Sequence, residues 1–242
     1  MPKVTADAVI LMDAESGQIL YEKNSEKKEY PASLTKMMTC LLALEKGDPY
    51  RLLSVSKTAA NVESTRLYGG EWIRLGDLTY QMMLISDNGA ATAVAEAIAG
   101  NTAHFADMMN EKAKAIGCTG THFVNANGMP DENHYSTAKD LALIARYGLT
   151  NQKFRDIVGT KTKKIHYERP RGNISCWNTN ELLYSYEGAI GVKTGYTRAA
   201  GGCLAAAATR DGKMLIAIVL HSRDDATRFT EAAALLDYGF GA

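Results

Sequence analysis

Apolar residues run through this chain in two rhythms, one short and strand-like at both ends, the other helical in the middle. Residues 8–12 (A-V-I-L-M) and 18–21 (Q-I-L-Y) are short β-type runs, and the turn-rich D-A-E-S-G between them predicts a hairpin. Pro31 interrupts the chain. Residues 34–44 are then nearly continuously apolar until Gly47, which predicts a buried helix that is apolar on most sides. Residues 75–85, 89–98, 102–116 and 137–147 carry helical spacing, separated by Gly, Asn and Asp. Asn101 or Thr102, and Ser136 or Thr137, are the residue types that cap helix N-termini.

From about Lys161 the strand rhythm returns. Residues 189–197 (A-I-G-V-K-T-G-Y-T), 201–209 and 213–220 are three runs, the last two joined by Asp211-Gly212, a strong hairpin signal. Residues 205–208 are four alanines, which favour a helix by propensity. The preceding Gly-Gly and the following Asp-Gly turn argue for a strand, whose small side chains would let a helix pack close. Residues 225–238 predict an amphipathic helix closed by Gly239.

Strands at both ends with helices between predict an α/β fold of the α+β kind. One antiparallel sheet forms from N- and C-terminal strands, flanked by helices, with an inserted all-helical lobe. We divide residues 1–242 as a single domain, with a sheet lobe of about 1–50 and 160–242 and a helical lobe of about 51–159. No internal repeat or low-complexity linker interrupts it.

Composition narrows the function classes. With 46% hydrophobic residues in 242, the chain can build a sizeable core. Lys plus Arg and Asp plus Glu each number 27, so no excess of positive charge argues for nucleic acid or an anionic membrane surface. The apolar stretches fall short of a membrane span, and the N-terminus lacks the segments of a signal peptide. That leaves a cytoplasmic protein or a mature form behind a new Met1. Cys40, Cys118, Cys176 and Cys203 show no C-x-x-C and no metal spacing. Cys40 reads as a buried thiol; the sequence does not choose among the three formal pairings.

Candidate chemistry begins at P-A-S-L-T-K-M-M-T, residues 31–39, where Ser33 and Lys36 stand three apart. Ser-x-x-Lys also occurs at Ser25/Lys28, Ser54/Lys57 and Ser136/Lys139. About one accidental match is expected from the abundance of these residues, so context must decide. Ser25 lies in a hydrophilic loop, Ser54 follows a helix, and Ser136 resembles a cap. Ser33 opens a buried helix, near free N–H groups that suit an oxyanion. Lys36 projects one turn on from the same face, where desolvation lowers its pKa and makes it a base. An N-cap with a snorkelling lysine fits this stretch equally well.

Two more tripeptides bear on the choice. Ser86-Asp87-Asn88 falls between helical segments, and Lys193-Thr194-Gly195 falls on a strand; each pattern occurs once. Alone, each reads as a helix cap or a strand end. In the order S-x-x-K, S-x-N, K-T-G they match serine penicillin-binding proteins and class A β-lactamases, each in the element that signature demands.

The chain resembles the D-alanyl-D-alanine carboxypeptidases, the low-molecular-mass penicillin-binding proteins. The likeness runs through A-V-I-L-M-D-A-E-S-G-Q-I-L-Y-E-K-N, P-D-E-N-H-Y-S-T-A-K-D-L-A-L-I-A-R and G-V-K-T-G-Y-T, from about Ala6 to Phe240. It implies removal of the terminal D-Ala from peptidoglycan stem peptides outside the cytoplasmic membrane, through an acyl-enzyme that β-lactams also form. Ser33 would be the nucleophile and Lys36, neutral at rest, its base. Ser86 would pass the proton to the leaving amine, and Asn88 would bind substrate and orient Lys36. The N–H groups of Ser33 and Tyr196 would form the oxyanion hole. Lys193, Thr194 and Arg228 would hold the terminal carboxylate, while Gly191 and Gly195 admit the peptide along the strand edge.

No metal or cofactor is implied; the polar Asp131-Glu132-Asn133-His134 stretch reads as a capping loop. No nucleic-acid partner is implied, and membrane attachment would need segments outside this chain, as would the C-terminal β domain and anchor helix of many relatives. DD-endopeptidase or transpeptidase activity is the nearest alternative; a β-lactam sensor that does not turn over is another. Asp87 is the residue class A β-lactamases carry in the second motif, where many carboxypeptidases have Gly. The E-x-x-L-N stretch of those β-lactamases is absent.

Overall fold

The computed structural model describes residues 1–241. Its main sheet is built from β1 (Ala8–Asp13), β2 (Ile19–Lys23), β7 (Ala189–Thr197), β8 (Gly201–Arg210) and β9 (Lys213–Ser222), in the order β2-β1-β9-β8-β7. All neighbours are antiparallel, with Val9 opposite Val219 and Lys193 opposite Ala205. The N-terminal hairpin and the C-terminal strands therefore share one sheet, as the sequence pattern predicts. Both its faces are covered, so alternate residues enter two different cores. Ile10, Ala205, Ala207, Ile216 and Ile218 face the helical side. Val9, Leu204, Ala206, Ala217 and Val219 meet Phe229, Ala232, Leu235 and Leu236 on the other side. A strand buried on both faces reads as an unbroken apolar run, and the alanines of β8 admit the covering helix closely.

Nine α-helices accompany the strands among the described residues. They are α1 (Lys36–Lys46), α2 (Lys57–Ala60), α3 (Leu75–Leu84), α4 (Asn88–Ala99), α5 (Thr102–Ile116), α6 (Ala138–Leu149), α7 (Gln152–Gly159), α8 (Leu182–Ser185) and α9 (Thr227–Phe240). Asn101 accepts from the His104 N–H and Thr137 from the Asp140 N–H, which starts α5 and α6 where the capping residues predict. Helix α1 runs through the centre, buried from Lys36 to Ala43.

Three expectations need correction. The inserted region is helical in bulk, but it carries two three-residue strands, β3 (Leu52–Ser54) and β4 (Trp72–Arg74). They join β5 (Thr162–Arg169) and β6 (Asn173–Trp177) in a second antiparallel sheet, ordered β3-β4-β5-β6. The buried bond from the Tyr167 hydroxyl to Gln81 (2.6 Å) ties this sheet to α3. Second, Ser33 does not open an α-helix; it sits in a 3-10 turn over Ala32–Thr35, and α1 begins at Lys36. Third, Gly239 lies inside α9, and Gly241 closes it with φ of 78°. A Cβ on Gly239 would come within 2.6 Å of Leu215 and 2.9 Å of Leu11, so the glycine seats the helix on the sheet.

All four cysteines are free and buried. Burial pushes the Cys203 thiol up to about 12 and Cys118 likewise, which makes both poor nucleophiles.

Candidate active site

The 3-10 turn, the α3–α4 connection, the segment before α6 and the outer half of β7 converge on one place. At its centre is Lys36, fully buried at the start of α1. Its Nζ lies 2.7 Å from Ser33 Oγ, 2.7 Å from Asn88 Oδ1 and 2.6 Å from the Asn127 carbonyl oxygen. Burial drives its pKa well below the ordinary lysine value; the nearby Lys193 charge adds to the shift, and Asp87 opposes it weakly.

The charge state fixes the roles of these three contacts. A neutral amine has two hydrogens and one lone pair. Asn88 Oδ1 and the Asn127 carbonyl are acceptors only, so they take the two hydrogens. In the neutral form the lone pair is left for the Ser33 hydroxyl to donate to, and Lys36 is placed to accept that proton.

The other Ser/Lys pairs are spent differently. Ser25 donates to Glu22, while Lys28 sits 4.1 Å over the Tyr135 ring. The Ser136 hydroxyl meets Thr121, and Lys139 pairs with Glu26 at 2.6 Å. Ser54 ends a strand of the small sheet, and Lys57 is exposed. In none of the three is serine bonded to lysine among the described residues.

The second motif divides its labour. Asn88 is the first residue of α4; its Oδ1 holds Lys36 and its Nδ2 donates to the Glu63 carbonyl (2.9 Å). Asp87 caps α4 and accepts from the Ala90 N–H (2.9 Å), Thr65 hydroxyl (2.7 Å), Arg66 N–H (2.8 Å) and Gln81 amide (2.9 Å). Its lone pairs are thus committed to the scaffold, and it does not stand as a base facing Ser33. Ser86 precedes it in the left-handed region, with φ of 62°. No hydrogen bond joins its hydroxyl to Lys36 or Lys193 among the described residues, so the expected proton relay is not formed in this structure.

On β7, Lys193 is buried, and desolvation with the Arg228 charge lowers it to about 7. Its Nζ donates to the Thr194 carbonyl (2.9 Å). Gly195 faces the nucleophile turn: a Cβ there would lie 2.9 Å from the Ser33 nitrogen, closing the space beside the serine. Tyr196 is exposed at the cleft rim on the sheet's edge strand. Arg228 is buried at the start of α9 and donates to the Gly195 carbonyl (2.7 Å), which brings its guanidinium to the same strand. The Lys193 amine and the Arg228 guanidinium, itself paired with Asp225 (2.8 Å), thus contact the backbone of Thr194 and Gly195. Eight of the nine candidate residues lie on or directly adjoin the elements that meet here, and Arg228 reaches them from α9.

The structure adds residues that the sequence reading missed. Asn127 contributes a backbone carbonyl. Gly128 has φ of 89°, and a Cβ on it would fall 1.9 Å from the Ala32 carbonyl oxygen, so only glycine fits behind the turn. His134, expected in a polar capping loop, is buried instead. Its Nδ1 accepts from the Val124 N–H (3.1 Å), which leaves Nε2 as the protonated nitrogen facing Thr35 Oγ1 (2.8 Å) in the nucleophile turn. Burial lowers its pKa to about 4, so it stays neutral. Thr179 touches Thr194. Among the described residues, no group of three or more His, Cys, Asp or Glu could hold a metal ion, and no helix is long and apolar enough to cross a membrane.

Residues 1–224 match the D-alanyl-D-alanine carboxypeptidase family. The chain is 34% identical over 244 residues to D-alanyl-D-alanine carboxypeptidase DacF of Bacillus subtilis, covering 97% of this chain and 62% of that protein. It is 35% identical over 253 residues to DacC of Escherichia coli, covering 99% and 62%. These relatives are longer, and the chain spans less than two thirds of their length. The crystal structure of the Streptomyces K15 DD-transpeptidase superposes with a TM-score of 0.94 at 32% identity, covering 100% of this chain and 99% of that one. A Streptomyces K15 protein called D-alanyl-D-alanine carboxypeptidase is 33% identical over 257 residues, covering 99% of this chain and 88% of that protein.

Proposed function

The chain belongs to the D-alanyl-D-alanine carboxypeptidase family, and from that premise we propose that it removes the terminal D-Ala from peptidoglycan stem peptides through an ester on Ser33. One observation carries the reading: the fully buried Lys36 amine lies within hydrogen-bond distance of Ser33 Oγ, with Asn88 Oδ1 and the Asn127 carbonyl as its other two partners.

In the first half-reaction Lys36 takes the Ser33 proton as Oγ bonds to the carbonyl carbon of the D-Ala-D-Ala peptide. The Ser33 and Tyr196 N–H groups stabilise the oxyanion; no carbonyl among the described residues takes the Ser33 N–H. The lysine proton reaches the leaving amine, directly or by the Ser86 hydroxyl once substrate fills the cleft. The C–N bond breaks and D-Ala departs, leaving Lys36 neutral again. In the second half-reaction Lys36 takes a proton from water, whose oxygen attacks the ester, and returns it to Ser33.

Thr194, Lys193 and Arg228 supply the hydroxyl and positive charge for the substrate's carboxylate. β-Lactams present an amide and a carboxylate in the same relation and would acylate Ser33. Such a substrate lies outside the cytoplasmic membrane, which is where we place the protein's action.

A second reading differs only in the acceptor. Streptomyces K15 homologues are named both carboxypeptidase and DD-transpeptidase, so an amine in place of water is the natural variant. The test is release of D-Ala from a peptide ending in D-Ala-D-Ala, with and without an added amine acceptor. Many turnovers per enzyme are expected, lost in Ser33→Ala. A single stoichiometric burst would contradict the peptidase reading.

A further inference from the structure

The turn Asn178-Thr179-Asn180, which follows β6, is pinned on both sides of its middle residue. The Asn178 N–H donates to the Lys161 carbonyl (2.8 Å), and its side-chain amide donates to the carbonyls of Val158 (3.2 Å) and Thr160 (3.0 Å). Asn178 Oδ1 accepts from the Asn180 N–H (3.0 Å), and Asn180 Oδ1 from the Leu182 N–H (3.2 Å). Both asparagines are buried. Thr179 alone is exposed, and its N–H donates to the Leu84 carbonyl (3.0 Å) at the end of α3, two residues before Ser86. The turn is therefore fixed to one wall of the cleft while its side chain reaches the other. There Thr179 Oγ1 lies 2.6 Å from Thr194 Oγ1.

Either hydroxyl can donate to the other. A bound carboxylate removes that freedom, because it accepts hydrogen bonds and donates none. Thr194 must then aim its hydrogen at the carboxylate and accept through its oxygen. The atom in place to donate to that oxygen is Thr179 Oγ1. We propose that Thr179 is a positioning residue for the substrate's terminal carboxylate. Its O–H orients and polarises the Thr194 hydroxyl, completing a chain from Thr179 to Thr194 to carboxylate. Hydrogen bonds in series strengthen one another, most of all when the last acceptor is charged. This inference rests on the reading of Thr194 as a carboxylate-binding group.

Thr179→Val tests it, since valine keeps the shape and leaves the backbone bond to Leu84 in place. The second-order rate of acylation by benzylpenicillin is expected to fall about 5- to 20-fold. Thr179→Ser should recover most of that loss. Deacylation of the peptidyl-enzyme should not change, because the carboxylate departs with D-Ala before that step. In a Thr194→Val background, Thr179→Val should cost nothing further. Unaltered acylation in Thr179→Val, no recovery in Thr179→Ser, equal losses in both backgrounds, or a parallel fall in deacylation would each overturn the proposal. The acylation measurements do not depend on peptide turnover. Failure of wild-type turnover with acylation intact thus counts against the peptidase reading alone, whereas a wild type that benzylpenicillin does not acylate overturns both.

Discussion

Replacing Lys193 by methionine should make the folded protein more stable while it ruins the site. Lys193 is buried, has no carboxylate partner among the described residues, and carries a pKa lowered from 10.5 to about 7. In the unfolded chain the same amine holds its proton up to about pH 10.5. Unfolding therefore takes up a proton anywhere between those two values, and wild-type stability rises with pH across that window. Integrating the shift gives a cost to the fold of about 5 kcal/mol at pH 6, about 3 at pH 8 and about 1 at pH 10. Methionine of similar length carries no such cost, but it deprives the Thr194 carbonyl of a donor, worth about 1 kcal/mol. The net gain is then about 4 kcal/mol at pH 6, about 2 at pH 8 and close to zero at pH 10. For a chain of 242 residues each kcal/mol moves Tm by about 2–4 °C, so Lys193→Met should unfold about 8–16 °C higher at pH 6. Calorimetry of both proteins at the three pH values measures this, and benzylpenicillin acylation of the same samples should fall at least about 100-fold. A variant that melts lower at pH 6, or a difference independent of pH, would refute the claim that Lys193 is a desolvated amine.

Two other substitutions probe the scaffold behind the nucleophile. Gly128→Ala forces a Cβ into the Ala32 carbonyl at a backbone angle L residues avoid, and should cost at least about 3 kcal/mol in denaturant unfolding and slow acylation at least about 100-fold; near-native values would show that the turn is not held from behind. Asp87→Ala strips four donors of their acceptor and should cost about 3–5 kcal/mol by the same measurement, and a loss under about 1 kcal/mol would contradict its role as the anchor of the second motif.

The long strands were legible because most of their length is buried: residues 203–208 and 214–220 are apolar without interruption, 189–197 is interrupted by Lys193 and Thr194, and turn residues mark the ends. The alanines at 205–208 show tertiary context overriding propensity, since a helix needs the room that small side chains leave. Strands β3 and β4 escaped because three residues are too few to display a period. At the site, legibility followed chemistry carried by side chains. Ser33, Lys36, Asn88 and Lys193 have residue types and spacings that mean something. Asn127 does not, because any residue could offer its carbonyl. Gly128 and Thr179 act through the space and the hydroxyl they bring to partners far away in sequence. His134 sat among polar neighbours in the chain, and only the fold shows it buried under the nucleophile turn. The 3-10 turn at Ser33 was also hidden, since the apolar run of α1 extends back into it.

The central claim is that Ser33 is the nucleophile and Lys36 its neutral base. It is tested most directly by treating the protein with benzylpenicillin and mapping the covalent adduct by peptide mass spectrometry. The account predicts one penicilloyl group on the peptide containing Ser33, none in Ser33→Ala, and an acylation rate at least about 1000-fold lower in Lys36→Ala. An adduct on Ser25, Ser54, Ser86 or Ser136, or undiminished labelling in Lys36→Ala, would contradict it.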